Sequence, residues 1–235
     1  MTETGTSRLD DYLDVFIAPS SLFRRRADGK FGQALVVFVV LLTLLFFATK
    51  TAMQPVMDAE FQRGMAAAMK ANPSLTAEQM ETGRKFFSTF GAIFLIAGMP
   101  IAIFILGGVI WVTARIVGGS LSYSQGAVIA TFSMFPRLLD MVSGAVQALL
   151  MDESSLNGRY RVSLGLGRLL DPDTANPVLV ALLGRVDVFT IWITVLVALG
   201  LKVLAKVSTA QAAAGAAIVW VIGGLPAILQ ALRAG

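Results

Sequence analysis

Side chains able to do chemistry are scarce in this sequence, and the sharpest pair of them stands inside an apolar run. Arg137 and Asp140 are the sole charges in the stretch 123–151. Their spacing puts both on one face of a helix, and charges at membrane depth commonly face protein or a wet cavity because lipid solvates them poorly. Two readings stay open: a mutually neutralising pair near the interface, with Arg137 extended toward headgroups, or part of a proton, ion or substrate path. Arg24, Arg25 and Arg26 form a second cationic feature, suited to setting topology and to contacting anionic lipid headgroups. Asp171 and Asp173 are hard oxygen donors, but flanking Pro172 they make a turn as readily as a cation site, and no metal is assigned to them. The sequence contains no His and no Cys. That excludes imidazole bases, thiolates, disulfides and most transition-metal sites. No nucleophile-and-base constellation can be assembled from the remainder, so the sequence reads as a non-enzyme with no cofactor and no catalytic residue.

The elements that must position these residues are membrane helices. Of the 235 residues, 56% are hydrophobic and 14% charged, against about 45–50% and about 25% in an ordinary soluble domain. The net charge of +4 comes from basic residues at the ends of apolar runs, a placement that suits anionic headgroups and not nucleic acid. The first run, 31–49, is bracketed by Lys30 and Lys50 and reaches roughly 29 Å, about the thickness of the hydrocarbon core. The second, 86–114, holds Pro100 near its middle and predicts a kinked or tilted helix. The third is 123–151, with Pro136 inside it. A fourth covers 188–204, Lys202 extending its amine to the interface. The fifth, 212–232, contains Pro226 and follows Ser208 and Gln211 at capping-box spacing. The expected fold is therefore all-α: a polytopic transmembrane bundle of about five spans plus interfacial amphipathic helices, divided into an N-terminal segment, 1–30, and a transmembrane domain, 31–235.

Two connectors carry amphipathic patterns expected to lie on the membrane surface. One is 52–70, with Met53, Val56, Met57, Phe61, Met65 and Met69 at helical spacing, followed by a helix start at Thr76 answered by Gln79. The other is 156–185. The N-terminal stretch shows a similar stripe, Leu9, Tyr12, Leu13, Phe16 and Ile17, with Asp10, Asp11 and Asp14 elsewhere. Ala212, Ala213, Ala216 and Ala217 are the expected helix-packing face, since small residues let helices approach closely in lipid. The pairs Gly107-Gly108, Gly118-Gly119 and Gly223-Gly224 read as packing positions, and Trp111, Trp192 and Trp220 as interfacial anchors or packing elements.

Three stretches resemble the Yip family, in its bacterial form: Val15-Phe16-Ile17-Ala18-Pro19 through Phe23, Tyr123-Ser124-Gln125-Gly126 leading to Phe135-Pro136, and Val186-Asp187-Val188-Phe189-Thr190-Ile191-Trp192 followed by Leu201-Lys202 and 208–213. The resemblance implies a five-helix domain with a cytoplasmic N-terminus and no catalysis; the Arg24 to Arg26 cluster agrees with that orientation. Because so few residues precede the first span, Rab binding by eukaryotic relatives does not carry over. The expected role is a non-enzymatic accessory or scaffold protein of the bacterial cytoplasmic (inner) membrane, contacting membrane lipids and other integral membrane proteins: itself, or a heteromeric assembly such as an export complex. The alternative is a small transporter or lipid-handling protein that uses Arg137 and Asp140.

Overall fold

The computed structural model describes residues 10–234. Its helices are α1 (Asp10–Ile17), α2 (Pro19–Arg25), α3 (Gly32–Ala71), α4 (Ala77–Ile116), α5 (Tyr123–Ser133), α6 (Pro136–Leu150), α7 (Pro177–Leu183), α8 (Val188–Leu204) and α9 (Thr209–Ala234), with short 3-10 turns at Glu153–Ser155 and Leu166–Leu169. Among the described residues the β-structure amounts to one antiparallel bridge, Gly165 with Asp187. The fold is all-α, as the hydropathy pattern predicts.

Three helical stretches are long and apolar enough to cross a bilayer: Gly32–Lys70, Thr89–Ile116 and Thr209–Leu232, with mean hydropathies of 2.4, 2.6 and 2.0. Large apolar side chains along them face outward, Val36, Leu44, Phe47, Ile101 and Ile105 each more than half exposed, the arrangement lipid solvates and water does not. The protein is integral to a membrane. Val188–Leu204 is apolar but shorter, so helix length gives three to four crossings where the sequence suggests five.

The difference arises in the third apolar run, which is two helices and not one. Proline lacks the N–H that a helix interior needs, and its ring clashes with the carbonyl four residues earlier. At Pro136 the chain closes α5 with tight bonds, Met134 N–H to the Thr131 carbonyl and Phe135 N–H to the Phe132 carbonyl, and restarts with Pro136 as the first residue of α6, the helical position that tolerates proline best. Pro100 and Pro226 remain inside continuous helices. The first connector also departs from expectation. Nothing between Lys50 and Ala52 stops α3, which runs 40 residues through Pro55 to Ala71, so 52–70 continues the helix of the first apolar run and is not a separate helix. The helix start at Thr76 is present: its hydroxyl accepts from Gln79 N–H and its own N–H donates to the Gln79 side chain.

The chain divides into two compact units. The first comprises Met1–Phe38, Pro100–Pro136 and Ile191–Ile222. Its interior is apolar, with Phe23, Phe38, Ile110, Phe132 and Leu201 fully buried, and its helices approach through glycine. A Cβ on Gly126 of α5 would come within 2.5 Å of the Gly107 carbonyl of α4, and one on Gly200 of α8 within 2.7 Å of Ile129. α4 ends in a Schellman motif: Gly118, at φ +82°, donates to the Arg115 carbonyl and Gly119 to that of Ala114. Two capping boxes that share the pattern Ser-x-x-Gln then open α5 and α9. Gln125 and Gln211 each close a box with Ser122 and Ser208, and each donates its amide to a distant carbonyl, Ala27 and Val117 respectively.

The second unit comprises Val39–Met99, Arg137–Thr190 and Gly223–Gly235. Val56, Ala148, Leu156 and Val162 form a core against which Met53 and Met151 pack. The segment 151–176 is pinned to α3 by Arg63, which donates to Asp173 (2.9 Å), Glu60 (3.2 Å) and the Asn157 carbonyl (2.5 Å), while Glu60 accepts from Arg159 N–H. Asp171 accepts from Asp173 N–H and from Asn157, a turn stabilised by its own side chain. Among the described residues no group of His, Cys, Asp or Glu could hold a metal ion.

Candidate functional site

The Arg137 and Asp140 side chains meet at 2.8 Å. Arg137 stands in the first turn of α6, where the helix dipole disfavours a cation, and Asp140, three residues further on, offsets it. A second guanidinium N–H of Arg137 donates to the Thr190 hydroxyl at 3.1 Å. That hydroxyl in turn donates to Asp187 in a short hydrogen bond. Asp187 is 7% exposed and caps α8, accepting from Phe189 N–H and Thr190 N–H at 3.0 Å each; its negative charge complements the helix N-terminus. The pair is thus one end of a relay of contacts, Asp140, Arg137, Thr190, Asp187, that joins the starts of α6 and α8.

Arg185 lies beside this relay and donates to the Gly223 carbonyl at 3.1 Å. Burial lowers its guanidinium below the ordinary arginine value, and the positive charge of Arg137 adds to the effect. The glycine pair Gly223-Gly224 makes room for it, because a Cβ at Gly224 would fall 2.8 Å from the Arg185 side chain. Arg159 stacks over the Tyr160 ring, 4.9 Å from its centroid, and donates to the Tyr160 hydroxyl. Together with Lys50, these residues line a cavity of about 440 Å³ inside the second unit. Its remaining wall includes Phe46, Met53, Met57 and Met141.

The N-terminal arginines are placed differently from one another. Arg25 and Arg26 turn inward onto Asp11, which is 5% exposed. Arg25 donates to Asp11 at 2.7 and 3.2 Å and to Asp14 at 2.5 Å, and Arg26 donates to the other Asp11 oxygen at 2.6 Å. The Asp11 hydrogen bond raises the Arg25 guanidinium above its ordinary value, against the opposing effect of burial. Arg24 is exposed and contacts Ser21. The apolar stripe of α1 divides in the same way: Tyr12 stacks on Phe135 and Phe16 meets Trp192 edge to face, while Leu13 and Ile17 are 66% and 78% exposed. Leu9 lies outside the described residues.

The alanine face of α9 also splits. Ala212 and Ala216 are buried, with Gly215 against Leu201 between them, whereas Ala213 and Ala217 are exposed. Asp187, Thr190, Arg185, Arg159 and Lys50 carry the site together with the predicted pair, although sequence reasoning did not single them out as site residues. The available signal was Asp187-x-x-Thr190 immediately before an apolar helix, the spacing of an N-cap.

No curated protein and no solved structure matches the chain. A family model described as the Yip1 domain matches residues 13–229. Because that match takes in all of α2 to α8, the chain belongs to the Yip1 domain family, whose members are non-catalytic membrane proteins.

Proposed function

We propose that this protein is a membrane scaffold that associates with itself or with a larger membrane assembly, an export complex being one candidate. The observation that carries the reading is the outward face of α9. Ala210, Ala213, Ala214 and Ala217 are all exposed there, continuing to Val221, 52% exposed. In lipid, where the hydrophobic effect does not drive helices together, small residues at this spacing let a second helix approach closely enough for packing contacts to hold it. The inner small residues of the same helix already do this within the chain. Five crossings, a cytoplasmic N-terminus and residence in a bacterial inner membrane belong to this reading; the Arg24 to Arg26 cluster before the first span supports the orientation.

The test is pairwise. Single cysteines placed at Ala213 or Ala217 in this cysteine-free chain should crosslink to a second copy or to another membrane protein in native membranes, and Ala213→Leu with Ala217→Leu should abolish the product. A strictly monomeric particle in nanodiscs, with no crosslink captured in the membrane, overturns the scaffold reading.

A further inference from the structure

We propose that the cavity of the second unit is a binding site for an anionic phospholipid, its phosphate held by the arginines and its chains lying along the methionine wall. This inference is independent of the association proposed for α9. Four cationic side chains line the cavity, Lys50, Arg137, Arg159 and Arg185, against two carboxylates, Asp140 and Asp187. The wall therefore carries an excess of two positive charges in a space of about 440 Å³, within the size range of cavities that hold small ligands. Both carboxylates are already engaged, Asp140 by Arg137 and Asp187 by Thr190 and the start of α8.

The three arginines are held in place by the protein itself, Arg137 by Asp140 and Thr190. Arg185 is fixed by the Gly223 carbonyl and fits because residue 224 is glycine; Arg159 is stacked on Tyr160. Such pre-ordering lowers the entropic cost of binding, and arginine forks match the oxygens of a phosphate. Burial first and the charge of Arg137 second lower the Arg185 guanidinium, and an anion between the two arginines would offset both.

Depth selects a lipid over a soluble anion. Phe46, Thr49 and Lys50 come from the end of the apolar run of α3, the level at which headgroup phosphates meet acyl chains. Basic pockets at that level are the usual receptors for anionic headgroups. Met53, Met57 and Met141 supply flexible apolar contact suited to a chain of no fixed shape.

Lys50 and Arg159 are exposed and lie outside the Arg137 relay, so K50Q with R159Q removes charge while leaving the buried contacts intact. The full-length protein is reconstituted in nanodiscs of phosphatidylcholine with a minor fraction of phosphatidylglycerol, extracted into mild detergent, and its retained lipid quantified by native mass spectrometry. The wild type should retain phosphatidylglycerol in preference to phosphatidylcholine, and the double variant should retain it about thirty-fold less, as expected for two near-surface cations. Equal retention of both lipids, or retention unchanged in the variant, overturns the proposal. Displacement of the lipid by inorganic phosphate at millimolar concentration also overturns it, in favour of a small-anion site. Should the variant fail to fold, a photoreactive phosphatidylglycerol on the wild type decides: labelling at Met53 or Met141 supports the site, and labelling confined to the outward faces of α3 and α4 removes it.

Discussion

Replacing Asp11 by Asn is expected to destabilise the protein far more than any change to Arg24, although all these residues fall in a short, highly charged segment. Asp11 is buried and receives both arginines at the end of α2, through Arg25 Nε and Nη2 and Arg26 Nε. Removing one partner of a buried ion pair costs about 3–5 kcal/mol, because the surviving charge stays desolvated. Here the cost is smaller, since the Arg25 and Arg26 side chains keep 30% and 19% of their exposure and Asp14 continues to hold Arg25. An expected loss of about 2–3 kcal/mol follows, equivalent to a roughly 30- to 140-fold shift in the unfolding equilibrium. Asp14→Asn, which removes one contact from a more exposed carboxylate, should cost about 1 kcal/mol or less. Arg24→Ala should stay within about 0.5 kcal/mol, as an exposed substitution with a single serine contact does. The assay is reversible unfolding in mixed micelles, followed by helical circular dichroism. The decisive quantity is the rank order. If Asp11→Asn costs no more than Arg24→Ala, the inward placement of Arg25 and Arg26 is wrong, and the three arginines act together at the membrane surface.

Further outcomes can be read in the same assay. Gly126→Leu should lose about 1–3 kcal/mol or more by forcing α5 off the Gly107 carbonyl, whereas Gly98→Ala, where a Cβ meets nothing within 4 Å, should be neutral or gain up to about 1 kcal/mol from helix propensity. Ser208→Ala should cost about 1 kcal/mol through the lost cap of α9. Asp187→Ala should cost about 2 kcal/mol, losing both the cap of α8 and the Thr190 contact, and Asp187→Asn less, since an amide oxygen still accepts from the helix N–H groups. With no His or Cys, stability should be flat between about pH 5.5 and 8. Asp28 is held below its ordinary value of 3.8 by the Lys30 hydrogen bonds, so its contribution is present above that value and disappears only as the pH falls through the lowered one.

What the sequence disclosed was set by how far apart the determining residues lie. The Thr76 and Ser208 helix starts are legible because each cap and its glutamine sit three residues apart, and the Arg137 contact with Asp140 is legible for the same reason. Thr190, the third member of that relay, is 53 residues from Arg137, and no periodicity links them. Asp11 reads as a solvated residue of an amphipathic helix until Arg25 and Arg26 fold back onto it. The prolines show the limit most plainly. Pro100, Pro136 and Pro226 all interrupt apolar runs, and the missing N–H permits either a kinked continuation or a restart. Which one occurs depends on tertiary packing, so Pro136 alone divides its run, while Pro55, in a segment read as a separate surface helix, stays within α3. In the alanine face of α9 the residue types were informative, but only neighbouring helices could assign Ala212 and Ala216 to the inside and Ala213 and Ala217 to the outside.

The cap at Asp187 fixes more than a local hydrogen bond. α8 cannot begin earlier, because Asp187 is committed to its first turn, and it cannot run on past its other end, where Lys206 adopts φ 55°. Its 17 residues reach about 26 Å, several ångströms short of an average hydrocarbon core. Mismatch costs fractions of a kcal/mol for each ångström, and a helix locked at both ends has no means of lengthening to reduce it. Wherever α8 crosses a bilayer, the mismatch therefore falls on the lipid, which thins around it, and on Lys202 and Lys206, whose amines extend to the headgroups.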